Sequence, residues 1–325
     1  MKYLGRRLLR ALLLFVGVSA LCFLFTEMSP GSFFDEMRLN PQVSPETISL
    51  LNSRYGLDQP IAIRYERWVK AVAHADLGYS IAYNAPVAPL LWSRAKNTLL
   101  LTISAMMFAW LVSVPLGVWT AARRGKALDK FSGAASSFFI AVPEVVIAVA
   151  LLAIVVRWRI LPFGGMKSID LTGLSAWASF LDTAKHMLLP AVILAVLDGA
   201  IIFRHVRASV LEVLETPFVQ ATRGLGIGRN RLLFRHILPV AASPAISLFG
   251  FSLAGLISGS LLVEVVCGWP GLGPLILDAT LSRDIYLVIG GIMFSALFMI
   301  GGNFIADVML LAADPRIRTG AADAN

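Results

Sequence analysis

Six long apolar runs leave this chain very little choice of fold. Residues 11–26, 97–122, 131–156, 187–203, 237–263 and 285–306 carry only two charged side chains between them, Glu144 and Asp198. Each run is near the ~20 residues a helix needs to cross the hydrocarbon of a bilayer. Hydrocarbon offers no water to a bare N–H or C=O, so a spanning segment must pair its own backbone, and continuous runs of this length do so as helices. Composition agrees: 57% of the residues are hydrophobic, 15% are charged and the mean hydropathy is +0.76, where a soluble domain carries about 25% charged residues. The expectation is an all-α integral membrane protein with six spans, the third and second kinked at Pro143 and Pro115.

Orientation follows from the loops. Lys2, Arg6, Arg7 and Arg10 precede the first run, and no small-residue cleavage site follows it, so it reads as an uncleaved span with a cytoplasmic N-terminus. Alternate loops then hold Arg123, Arg124, Lys126 and Lys130, next Arg204, Arg207, Arg223, Arg229, Arg231 and Arg235, and last Arg316 and Arg318. The acids on that side are Asp129, Glu212, Glu215, Asp307, Asp314 and Asp323, whereas basic and acidic residues balance on the other side. The positive-inside rule therefore puts both termini in the cytoplasm. In a soluble chain a net charge of +8 would point to nucleic acid; here it reports basic cytoplasmic loops, and no nucleic-acid partner is expected. Cys22 and Cys267 form neither a disulfide framework nor a metal set, and the four histidines are scattered. No phosphate-binding loop or hydrolase motif is present, so a membrane enzyme is disfavoured and neither metal nor cofactor is expected.

The division along the chain is then 1–28 for the tail and first helix, 29–96 for an extracytoplasmic segment, 97–306 for the membrane domain and 307–325 for a cytoplasmic tail. Within 29–96, Ser44-Pro45-Glu46 starts a short helix, residues 55–60 form a turn and residues 61–72 are amphipathic.

One cytoplasmic stretch, residues 215–239 within the loop 204–236 and its exit, stands out by its polarity. Thr216 is a helix cap and Pro217 suits the first position, where a missing N–H costs nothing. Phe218 and Leu225 lie on one side; Gly224, Gly226 and Gly228 end the helix, and a second short amphipathic piece covers 229–236. The spacing of Gln220-Ala221-Thr222, Gly226 and Leu238-Pro239 resembles the cytoplasmic EAA loop of ABC importer permeases, with Gln220, Thr222 and His236 departing from its pattern. Gly56-Leu57-Asp58-Gln59-Pro60, Asp76-Leu77-Gly78-Tyr79-Ser80, Pro115-Leu116-Gly117, Gly268-Trp269-Pro270-Gly271-Leu272-Gly273 and Asp314-Pro315-Arg316-Ile317-Arg318 extend the resemblance. The chain resembles the B-type permease of dipeptide and oligopeptide ABC importers.

That resemblance implies a type I importer permease fold of six helices in a bacterial inner membrane. It implies a second homologous permease, two ATP-binding subunits and an extracytoplasmic substrate-binding protein as partners, with ATP hydrolysed on the partners. Thr216, Pro217, Phe218, Gln220, Ala221, Thr222, Arg223 and Gly226 are then the ATPase-coupling residues. Phe218 would be the apolar knob, and Arg223 would meet either the ATPase or membrane lipid phosphates. The Trp269-Pro270-Gly271 corner would hold an outer re-entrant loop, with the indole at headgroup level. Nickel or glutathione importers of the same family are the alternative. An ion-coupled secondary transporter would show internal repeats, and none is visible.

Glu144 and Asp198 are candidate substrate-path residues, because acids inside spans face a cavity or a partner. Neither has a basic residue one helical turn away, so each needs a partner from elsewhere. Along straight helices Glu144 falls ~20 Å and Asp198 ~8 Å from the inner end of its span, which assigns Glu144 to a central chamber and Asp198 to an inner vestibule. The family's pattern does not call for acids at either position.

Overall fold

The computed structural model describes residues 2–28, 44–56, 58–168 and 175–313. Residues 29–43, Leu57 and the motif at 314–318 with the rest of the tail lie outside the described residues. Apart from one two-stranded hairpin, the regular elements of the described residues are helices, and the chain divides into two compact units.

The first unit comprises Met1–Asn97 and Pro270–Phe298. Helix α1 (Lys2–Met28) is followed by α2 (Pro45–Tyr55) and α3 (Ile61–Ala73). Ser44 caps α2, its Oγ accepting from Thr47 N at 3.2 Å, and Pro45 sits where its missing N–H is harmless. Phe23 of α1 meets Tyr65 edge-on at 5.2 Å and Trp68 at 5.4 Å on α3, and Ile289 and Met293 complete that core. A hairpin of β1 (Tyr79–Ser80) and β2 (Ala85–Pro86) leads into α4 (Val87–Ala122), whose first turns belong here. The unit closes with α11 (Leu272–Leu281) and the first part of α12 (Ile285–Ala313). The fully buried Asp284 joins the hairpin to α12: its carboxylate accepts from Ser80 Oγ (2.7 Å), Ala82 N (3.0 Å) and Leu287 N (3.3 Å).

The second unit comprises Thr98–Trp269 and Met299–Asn325. After the bulk of α4 come α5 (Ala127–Ala141), α6 (Glu144–Trp158) and α7 (Ala176–Leu214). The short α8 (Pro217–Gly224) and α9 (Arg229–Leu232) follow, then a single π turn (Leu233–Ile237) and α10 (Leu238–Cys267). Helix α7 runs through the middle. Its buried Ile193 and Leu194 pack with Leu101 of α4, Ala148 of α6 and Val263 of α10, while Ile202, Val206 and Val210 pack with Val118, Val219 and Ile237.

Among the described residues, four helices are long and apolar enough to cross a membrane: α4, α7, the Leu248–Cys267 part of α10 and the Ile285–Ile305 part of α12. The expected third span is not one helix. Helices α5 and α6 meet at 107°, far beyond a proline kink. The residue before a proline is pushed out of the helical region, and Val142 (φ −87°, ψ 131°) and Pro143 (φ −56°, ψ 139°) are both extended. As one broken span the pair raises the number to five. Helix α1 is continuous over 27 residues, Lys2–Met28, and carries the apolar stretch Leu9–Phe25.

Trp269 is buried in the protein core and is not exposed to a bilayer. Gly268 ends α10 with φ +66°, its carbonyl accepts from Gly165 N at 2.9 Å, and this reversal turns the indole into the core beside Val263 and Cys267. Trp269 is 1% exposed.

Candidate functional site

Two places combine the residues singled out above. The first is the short helix α8 and its mounting. Helix α7 stops at Leu214, and the chain turns through Glu215 and Thr216. Thr216 starts α8 differently from a side-chain cap. Its carbonyl accepts from Val219 N (3.1 Å) and Gln220 N (3.4 Å), whereas its hydroxyl donates back to Val213 O at 2.7 Å, tying α8 to the end of α7. Pro217 opens the helix as its composition predicts.

The helix has two sides. Val219 (0% exposed) and Thr222 (7%) face the membrane helices, and Thr222 Oγ1 donates to Phe218 O at 2.7 Å. Thr222 is therefore part of the mounting and offers no surface to a partner. Phe218 (49% exposed), Gln220 and Ala221 face outward; the Arg223 side chain lies outside the described residues. Phe218 rests near the His236 ring, centroids 6.3 Å apart. Leu225 is out as well, at 79%. Gly226 carries the chain away from α8 at φ +73° with open space around it, so its need for glycine is conformational.

Two ion pairs that the charge pattern did not single out brace this mounting. Arg207 of α7 holds Asp129 of α5 with both ends of its guanidinium (Nε–Oδ1 2.6 Å, Nη2–Oδ2 3.0 Å), and Asp129 also accepts from Gly125 N at 2.9 Å. Arg124 pairs with Glu215, the residue that leads into α8. In sequence these residues are only members of a basic-rich loop; their pairing crosses 78 and 91 positions.

The second place is a cavity of about 410 Å³ walled by α5, α6, α7 and α10. Glu144 and Asp198 both line it, together with Pro143, Gly255 and Gly259, and no basic side chain does. Residue counting along straight helices separated the two acids; the 107° bend places Glu144 at the start of α6, facing the same space as Asp198. Asp198 accepts a hydrogen bond from Ser252 of α10, and Ser252 Oγ accepts from Trp110 Nε1 at 3.4 Å. Glu144 differs: its Oε1 is buried and has no hydrogen-bond partner among the described residues. Gly259 lies beside it: a Cβ there would sit 3.4 Å from Oε2, an ordinary contact distance. A cavity with two carboxyls and no cation is suited to a cationic or hydrogen-bond-donating guest.

Comparison with known proteins accounts for this architecture. Residues 1–102 match the family described as the N-terminal part of the binding-protein-dependent transport system membrane component, and residues 113–319 match that described as the system's inner membrane component. The oligopeptide transport system permease protein AppB of Bacillus subtilis is 32% identical over 97% of this chain and 98% of its own length. The dipeptide permease DppB of Escherichia coli is 32% identical (98% and 99%), and the di/tripeptide permease DppB of Pseudomonas aeruginosa is 31% identical (98% and 99%). Among solved structures, a chain of the MetNI methionine ABC transporter in an inward-facing conformation superposes with a TM-score of 0.50 at 19% identity, over 68% of this chain and 96% of that one, which shows a shared fold. The chain is a multi-pass membrane protein that belongs to the family of inner membrane components of binding-protein-dependent transport systems.

Proposed function

We propose that this chain is a permease subunit of an ATP-driven importer of dipeptides and oligopeptides. It works beside a second homologous permease, two ATP-binding subunits and an extracytoplasmic binding protein; ATP is hydrolysed on the partners and this chain is non-catalytic. It crosses the membrane six times, counting α1, with both termini cytoplasmic and residues 29–96 outside. The three relatives named above, all peptide permeases, support the substrate class.

The observation that carries the coupling role is the two-sided helix α8. Its inner side, Val219 and Thr222, is packed on the membrane helices, while its outer side, led by Phe218, is bare. A knob fixed this way passes a push from an ATPase cleft into α7 and α10 instead of absorbing it. ATP closes the ATPase pair, α8 moves with its socket, and the two permeases switch between inward- and outward-facing packings as rigid bodies.

The test is Phe218→Asp in the reconstituted complex. A carboxylate in an apolar socket costs several kcal/mol unless paired, so stimulation of ATPase activity by loaded binding protein is expected to disappear while membrane insertion and pull-down of the partners persist. Normal stimulation in an intact complex would remove α8 from the coupling path.

A further inference from the structure

Where α4 stops at Ala122, α7 at Leu214 and α10 begins at Leu238, a cavity of about 780 Å³ opens at the ends of three apolar helices. Its floor is made of leucine and isoleucine side chains from α7 and from residues 227–237. Its rim holds Arg123, Arg124 and Lys126, with Glu215 as the one carboxylate in the lining. Glu215 is taken by Arg124. Arg123 and Lys126 have no carboxylate partner among the described residues. The Arg123 guanidinium lies 4.9 Å from the Trp119 ring centroid, a pairing suited to the level where hydrocarbon meets water. Phe218 and the outward side of α8 are not in the lining, so this cavity is separate from the surface assigned to the ATPase.

Cations above an apolar floor at the ends of membrane helices match one ligand chemistry in both halves. A soluble anion would satisfy the cations and leave the floor bare to water. A neutral lipid would cover the floor and leave two cations without a counter-charge. We infer that the cavity holds the headgroup of an anionic phospholipid, its phosphate against Arg123 and Lys126 and its upper acyl carbons on the floor. The headgroup then competes for Arg124 with Glu215, the residue just before Thr216, so lipid charge bears on the mounting of α8. The site depends on membrane placement alone; whatever Phe218→Asp does to coupling leaves it untouched.

Native mass spectrometry of the transporter complex, released from nanodiscs of phosphatidylglycerol and phosphatidylcholine, reads this directly. The wild-type complex is expected to retain phosphatidylglycerol in preference. Arg123→Gln with Lys126→Gln should lower that preference roughly fivefold per cation removed. Arg123→Lys with Lys126→Arg, and Arg157→Gln outside the cavity, should keep it. An unchanged lipid ratio in the neutralised variant overturns the site. So does a loss of ATPase subunits at constant lipid ratio, which would make the cavity a protein dock. Inorganic phosphate retained in place of lipid would also overturn it.

Discussion

Glu144 is the residue whose environment most exceeds what its position in the sequence discloses. Asp198 already accepts from Ser252, but the buried Oε1 of Glu144 has no partner among the described residues and no cation lines the shared cavity. Our reading is that it offers a weak anionic contact to the ammonium group of a passing peptide. Hydrogen bonds to charged groups contribute about 1.5–3 kcal/mol, so Glu144→Gln is expected to slow uptake of a free-amine or lysine-bearing peptide roughly tenfold and to spare an N-acetylated neutral one. Uptake rates of the three peptides check this; equal slowing of all three, or of none, ends the charge-reading role. That positions 144 and 198 carry acids with no base one helical turn away is legible from the amino-acid string. That they share one cavity is not, because it depends on a backbone angle between two helices.

At the scale of elements, the contact between α4 and α7 is the tightest part of the second unit that a single atom can test. A Cβ on Gly117 would lie 3.1 Å from Val206 Cγ1 and 3.2 Å from the carbonyl oxygen of Phe203, and that backbone oxygen cannot move aside alone. Gly117→Ala is therefore expected to wedge the helices apart at a cost of about 1–3 kcal/mol, lowering the thermal midpoint of the detergent-purified chain. Gly133→Ala on α5 meets nothing within 4 Å and should hold the midpoint or raise it, since alanine favours a helix by up to ~1 kcal/mol. Equal midpoints for the two variants would deny that α4 and α7 approach this closely. The sequence shows Pro115-Leu116-Gly117 only as a motif; the glycine's purpose lies 89 positions away at Val206. Helix ends were easier to foresee. Pro45, Pro217 and Gly226 do locally what proline and glycine do in any chain, while Thr216 misled because the carbonyl of Val213 lay within reach of its hydroxyl.

For the whole molecule, the basic loops predict a topology that fusions can check. A reporter active only outside the cytoplasm should work after Asp76 or Trp177 and fail after Lys126 or Arg229; activity at Arg229 would overturn both the orientation and the coupling role of α8. Helical class, membrane residence and the polar segment bearing α8 follow from the string alone, because hydropathy and capping act over neighbouring residues. The tertiary structure decided what depends on distant partners. It drew Pro270–Phe298 into one compact unit with Met1–Asn97, where Ser80 and Asp284 bond across 204 positions. It broke the third apolar run into two helices, turned Trp269 inward and set Arg207 on Asp129. Contacts of that span are settled by how helices pack, and two sequences with the same hydropathy can pack differently.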